Sequence, residues 1–145
     1  MRLWRISDHA DLDGTGGLLA PGRWHRIGEP IVYMAESSAL ALLETMVHIN
    51  RTRLPPPYQL LEIAAPDDLT ITEWPLDQDA SDKELTAEWG AAFLRSKSAA
   101  MARVPSSVAP ESWNYLLNPL HQDAQRFSIV IAARRSWDAR LFDRG

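Results

Sequence analysis

Arg23, Tyr33 and Glu44 fall within one stretch, GRWHRIGEPIVYMAESSALALLE, at residues 22–44. A guanidinium in a glycine-bounded turn suits a phosphate, because its planar fork meets two anionic oxygens at once. An aromatic ring on a short apolar strand offers a stacking platform. A carboxylate whose helical neighbours are Leu40, Ala41, Val47 and His48 needs a partner or a use, since an unpaired charge in dry protein is costly. Together these groups supply what cleavage of a nucleotide glycosidic bond requires. The anion is held, the leaving base is stacked, and the oxocarbenium-like ribose is stabilised by the carboxylate. Each residue alone also has a packing explanation: Glu44 paired with His48 or an arginine, Arg23 stacked on Trp24, Tyr33 as a core tyrosine with a satisfied hydroxyl.

The elements that must position these groups follow from the local pattern. RLWRI at 2–6 predicts a first strand, and the Asp- and Gly-rich stretch at 8–22 predicts a loop. PIVYMA at 30–35 has the β-branched and aromatic content of a buried strand, with Tyr33 facing away from Val32 and Met34. Ser37 or Ser38 caps a helix over about 38–49. The prolines of RTRLPPP make a stiff connector, and YQLLEIAAP and LTITEW then predict two strands. Ser81 and Glu84 form a capping box ahead of a helix whose face is Leu85, Trp89, Ala92 and Phe93. ARVPSSVAP predicts extended chain, ESWNYLLNPLHQDA a short helix or turns, and RFSIVIAA a late strand. With no repeat or composition break in 145 residues, one α+β domain is expected.

Several chemistries are excluded. The chain has no cysteine, which removes disulfides, thiolate nucleophiles and Cys-ligated zinc. Its four histidines (His9, His25, His48 and His121) show no paired metal spacing, so no metal site is expected. There is no G-x-S-x-G elbow, and DGTGG lacks the lysine of a phosphate loop. Fifteen basic against nineteen acidic residues argues against a non-specific grip on nucleic acid. The first residues lack the apolar core of a signal peptide, and no apolar run approaches the roughly 18 residues of a membrane span. A cytoplasmic domain without membrane attachment is expected. The polar side chains of residues 104–124, among them Ser106, Asn114, Asn118 and His121, suit either substrate ribose and amide groups or the tying of loops. Loop-tying is the commoner use near prolines.

The chain resembles the RES-domain family, toxin components of Xre–RES toxin–antitoxin pairs. The residues carrying the resemblance are LWRI at 3–6, GRWHRIGEPIVYMAESSALALLE at 22–44, VPSSVAPESWNYLLNPLH at 104–121 and the closing WDARLFD. By position, Arg23 matches the family arginine, Glu44 its glutamate and Ser106, with Ser107 one residue away, its serine. The resemblance implies an ADP-ribosyltransferase-like mixed sheet with flanking helices and an activity that consumes NAD+ as substrate. Water, inorganic phosphate or a protein would be the acceptor, and no bound prosthetic group is implied. The alternative is a non-catalytic nucleotide-binding interaction module in which Glu44 is only a structural ion pair. The resemblance places NAD+ against Arg5, Arg23, Tyr33, Ser37, Glu44, Ser106, Asn118 and His121. Arg5 and Arg23 would hold the diphosphate, Tyr33 would stack on nicotinamide, and Glu44 would stabilise the developing positive charge. It also implies a cognate Xre-type antitoxin that blocks the site, and admits a homodimer within that complex. His25 departs from the family, which often has asparagine there; a neutral imidazole donates one hydrogen bond where the amide donates two.

Overall fold

Leu3, Val32, Leu61, Ile63 and Leu117 are all within 1% of full burial, and all five belong to strands of one sheet. The computed structural model describes residues 1–143. Its strands are β1 (Arg2–Ile6), β2 (Val32–Ala35), β3 (Tyr58–Ala64), β4 (Ile71–Glu73), β5 (Met101–Pro105), β6 (Trp113–Leu117) and β7 (Ser128–Arg135). The helices are α1 (Thr15–Leu19), α2 (Ser38–Met46) and α3 (Lys83–Ser96), with 3₁₀ turns at Gln122–Arg126 and Ala139–Leu141. The sheet runs β4-β5-β6-β2-β1-β3-β7. Every neighbouring pair is antiparallel except β4 with β5, which makes it a mixed sheet in an α+β domain.

The middle of that order is its weakest point. β1 pairs with β3 over five residues and β2 with β6 over four, but β1 meets β2 at one pair, Trp4 opposite Ala35. The sheet is therefore two ladders, β4-β5-β6-β2 and β1-β3-β7, joined at a narrow seam. Strand alternation separates the packing on either side. Val32 and Met34 join Leu3, Leu61, Ile63, Met101, Tyr115 and Phe127 on one face. Tyr33 belongs with Trp24, Trp74, Phe93, Val104 and Leu116 on the other, beneath α3. A third cluster, Ala35 with Leu40, Ala41, Trp4 and Ile6, seats α2 beside the seam.

α3 explains the tryptophan content. Trp24, Trp74 and Trp89 meet edge to face at centroid distances of 5.0, 5.8 and 5.4 Å, and Phe93 stacks on Trp89. Trp113 lies 4.4 Å beneath the Arg103 guanidinium, and Trp137 packs on Tyr58 and Phe142. The aromatic residues are thus largely consumed by packing.

Four expectations change. The loop at 8–22 contains the short helix α1, held by tertiary contact: a Cβ on Gly17 would press on the Glu29 carbonyl and Ile31. The cap of α3 is Asp82, which accepts from the Leu85 amide, while Ser81 bonds back to Asp79. Ala91 is buried on α3 and Ala92 is exposed. Residues 113–117, expected as helix or turns, form β6, paired on both sides by β2 and β5.

Candidate active site at the seam

α2 sets Glu44. Ser37 accepts from the Leu40 amide at 3.1 Å and so starts the helix, and Leu40 and Ala41 bury its inner face. Glu44 lies one turn further along that face, where the core gives way to the seam. It is half-buried. Its Oε1 accepts two hydrogen bonds, from Ser106 Oγ at 2.5 Å and from Asn114 Nδ2 at 2.8 Å. Among the described residues, Oε2 accepts none. Both donors are themselves held. The Ser106 amide donates to the Ser112 carbonyl, the Ala109 amide donates to Ser106 Oγ, and the residue is 1% exposed. Asn114 sits in β6, opposite Ala35 and Val104. One carboxylate oxygen is thus fixed by two donors from different elements. Glu44 makes no ion pair with His48 among the described residues; His48 lines the cleft separately.

The turn carrying Arg23 is fastened at four points. Thr86 Oγ1 donates to the Arg23 carbonyl at 2.7 Å, and Arg23 Nη1 donates to the Ala80 carbonyl at 2.9 Å. Gly90 brings α3 so close that a Cβ there would overlap the Trp24 carbonyl oxygen. The Trp24 amide donates to Tyr33 Oη at 3.2 Å, and Tyr33 Oη also lies 2.6 Å from His25 Nδ1. Burial pushes the Tyr33 phenol well above its ordinary value, so it stays protonated.

Arg5 crosses the seam, its Nη1 donating to the Tyr33 carbonyl at 2.9 Å. Burial lowers its pKa and nearby Asp11 opposes that shift; a guanidinium keeps its charge regardless. These residues border one cleft of about 1110 Å³ that opens along the seam, lined by Arg5, Arg23, Tyr33, Glu44 and Asn114, with Lys83 and His48 also contributing. Arg5, Arg23 and Lys83 set three positive charges against the carboxylate of Glu44. That balance suits an anionic ligand with one electron-poor centre.

Other expected site residues lie elsewhere. Ser107 lines the cleft, while Ser106 stands behind Glu44 as its hydrogen-bond donor. Ser37 is spent as the helix cap. Asn118, 1% exposed, donates to the Leu94 carbonyl and accepts from the Leu120 amide. His121 Nδ1 accepts from the Asp123 amide. None of these last three lines the cleft, and each hydrogen-bonds the surrounding frame. Asn114, expected among the polar residues of 104–124 to meet substrate or tie loops, instead holds Glu44, and Thr86 is the gain. The signal for Asn114 is a polar residue alternating with Trp113 and Tyr115, visible once 113–117 is read as a strand.

The RES domain family model matches residues 2–141. The chain belongs to the RES-domain family. Curated relatives match it along nearly its whole length. It is 43% identical to the Toxin Res of Pseudomonas putida, over 98% of this chain and all of that protein. It is 36% identical to the Prs ADP-ribosylating toxin of Sphingobium sp., over 95% of this chain and 94% of that one. The fold resembles the crystal structure of the M. tuberculosis MbcT–MbcA toxin–antitoxin complex, with a TM-score of 0.74 at 16% identity, covering 93% of this chain and 84% of that one.

Proposed function

We propose that this RES domain is the toxin of a bacterial toxin–antitoxin pair and that it cleaves the nicotinamide–ribose bond of NAD+. The observation carrying this reading is Glu44, which lines the cleft beside Arg5 and Arg23 with its Oε1 held by Ser106 and Asn114. The names of the relatives and the toxin–antitoxin character of the structural neighbour support the toxin role and an antitoxin partner. The reading includes an Xre-type antitoxin, action in the cytoplasm and a toxin dimer within the complex.

In the reaction, the bond between ribose C1′ and the nicotinamide nitrogen breaks and nicotinamide leaves with the electron pair as a neutral amide. Positive charge passes to the ribose, where the Glu44 carboxylate stabilises it. Water or inorganic phosphate then bonds to C1′, giving ADP-ribose or its 1″-phosphate, and any proton released goes to solvent. Arg5 and Arg23 each spend one Nη on a backbone carbonyl and keep further N–H donors for the diphosphate. Tyr33 offers its ring to nicotinamide while its hydroxyl holds the Arg23 turn. No bound prosthetic group or metal is required. Because the partner of Glu44 forms only as the bond breaks, its loss lowers turnover more than binding.

The test follows NAD+ consumption by antitoxin-free protein with and without phosphate, beside Glu44→Gln. Consumption by the unmodified protein only, with products named by the phosphate comparison, is the expected result. A folded Glu44→Gln protein of equal activity would remove Glu44 from the mechanism. A second reading, transfer of ADP-ribose to a protein, is favoured by the likeness to the Sphingobium toxin. A labelled protein adduct with little free ADP-ribose would select it.

A further inference from the structure

His25 is 3% exposed, and each ring nitrogen has one partner. Nε2 lies 2.8 Å from the Ala20 carbonyl oxygen and Nδ1 lies 2.6 Å from Tyr33 Oη. A carbonyl can only accept, so Nε2 carries a proton. In that neutral tautomer Nδ1 accepts, and the Tyr33 hydroxyl donates to it. The hydroxyl oxygen then accepts from the Trp24 amide. One assignment of protons satisfies every polar atom in the relay: Trp24 N–H to Tyr33 Oη, Tyr33 O–H to His25 Nδ1, His25 Nε2–H to Ala20.

This relay encloses Arg23. The Gly22 amide donates to the His25 carbonyl at 3.3 Å, closing the turn in which Arg23 sits. Gly22 has no side chain to spare: a Cβ there would collide with Tyr33 Oη and the His25 ring. Thr86 and Gly90 press on the turn from the α3 side, and the imidazole holds it from the β2 side. We infer that His25 is the positioning residue for Arg23, orienting the guanidinium by anchoring the Tyr33 hydroxyl between β2 and the Arg23 turn, and that it thereby sets diphosphate affinity and leaves bond cleavage alone.

The identity of the ligand rests on the reading of the cleft as an NAD+ site, so the experiment separates the two. ADP serves as the probe, since it carries the diphosphate without a scissile bond. His25→Leu keeps the bulk and removes both hydrogen bonds; His25→Asn can still donate and accept. Calorimetry should show ADP binding weakened about tenfold in His25→Leu, on the order of one lost hydrogen bond, with His25→Asn restoring most of it. With NAD+, His25→Leu should raise KM by a similar factor and leave kcat within about twofold. Ring ¹⁵N NMR of the unmodified protein should show the proton on Nε2, and Tyr33→Phe should keep that tautomer while matching the ADP defect. If His25→Leu does not fold, Tyr33→Phe alone carries the affinity comparison.

ADP affinity unchanged in both folded variants overturns the positioning role, as does a ring proton on Nδ1, or a fall in kcat with unchanged KM. An unmodified protein that binds ADP but leaves NAD+ intact sinks the reaction and spares the positioning role. One that consumes NAD+ but fails to bind ADP sinks the positioning role and spares the reaction.

Discussion

Arg5 Nη1 donates to the carbonyl of Tyr33 across the seam between β1 and β2, at 2.9 Å. The side chain stands where a backbone rung would be, because the ladder there has only the Trp4–Ala35 pair. An opening between two strands normally leaves backbone groups without partners. Here the residue that satisfies one of them also charges the cleft. Arg5→Met should therefore show two defects at once. Leaving a part-buried carbonyl unpaired costs about 1–3 kcal/mol, which for a chain of this length lowers Tm by roughly 3–10 °C. NAD+ affinity should fall as well. Arg5→Lys keeps the charge and loses the planar fork, so it should recover only part of either. Thermal unfolding and ligand titration together check this, and a Tm within a degree of the unmodified protein would deny the bridging role.

Ser106 and Asn114 address the same oxygen of Glu44 from different elements, so each single loss should leave the carboxylate half-tethered. Ser106→Ala and Asn114→Ala should each lower kcat by about 10- to 100-fold, taking roughly 1.5–3 kcal/mol for a hydrogen bond to a charged group. KM should change little. The double variant should fall less than the product of the two, because both act through one atom. Strictly multiplicative losses would mean that the two residues do not act through one shared atom.

How much of this was legible beforehand differs from residue to residue. Tyr33 and Glu44 sit in a strand and helix whose signals are local: an apolar β-branched run, then a serine cap. Their side chains were recognisable by type and by face. β6 was hidden because its residues, WNYLL, carry no β-branched side chain and are followed by Asn-Pro. Its strand character comes from β2 and β5 on either side, not from its own propensity. The partners of the site are non-local too. Asn114 reaches Glu44 across 70 residues and Thr86 reaches Arg23 across 63, distances that periodicity does not span. Ser106 was legible as a family position but not as a donor behind the carboxylate, since that depends on the loop at 106–112 closing on itself.

Gly90 tests whether α3 matters to the site beyond holding the core. A methyl group there meets the Trp24 carbonyl, a backbone atom that cannot swing aside. α3 must retreat or the turn must move, and overpacking of this kind costs about 1–3 kcal/mol or more. Gly90→Ala should lower Tm, alter near-ultraviolet dichroism from the Trp24–Trp74–Trp89 cluster, and weaken NAD+ binding through Arg23. Gly16→Ala is the control: no atom lies within 4 Å of the added carbon, and alanine favours the helix by about 0.5–1 kcal/mol over glycine. It should be neutral or slightly stabilising. Gly90→Ala behaving like Gly16→Ala would mean that α3 gives way freely.

Tyr33 makes a pH prediction. Burial disfavours its phenolate and is the largest influence on it, so the folded pKa lies above the unfolded value of about 10. The folded state therefore holds this proton more tightly than the unfolded chain does. The sign follows: the contribution to stability is complete below about pH 10 and is lost progressively as pH rises beyond it. Denaturant midpoints measured from pH 8 to 12 should be level with respect to this group at first and then decline. Tyr33→Phe should flatten that decline while lowering the plateau, because the hydroxyl bonds to His25 and Trp24 are gone. The phenolate absorbance of Tyr33, taken as the difference between the unmodified protein and Tyr33→Phe, should rise at higher pH in the folded protein than in denaturant. If that Tyr33 difference titrates near pH 10 while the chain remains folded, the Tyr33 hydroxyl is not the buried link between β2 and the Arg23 turn.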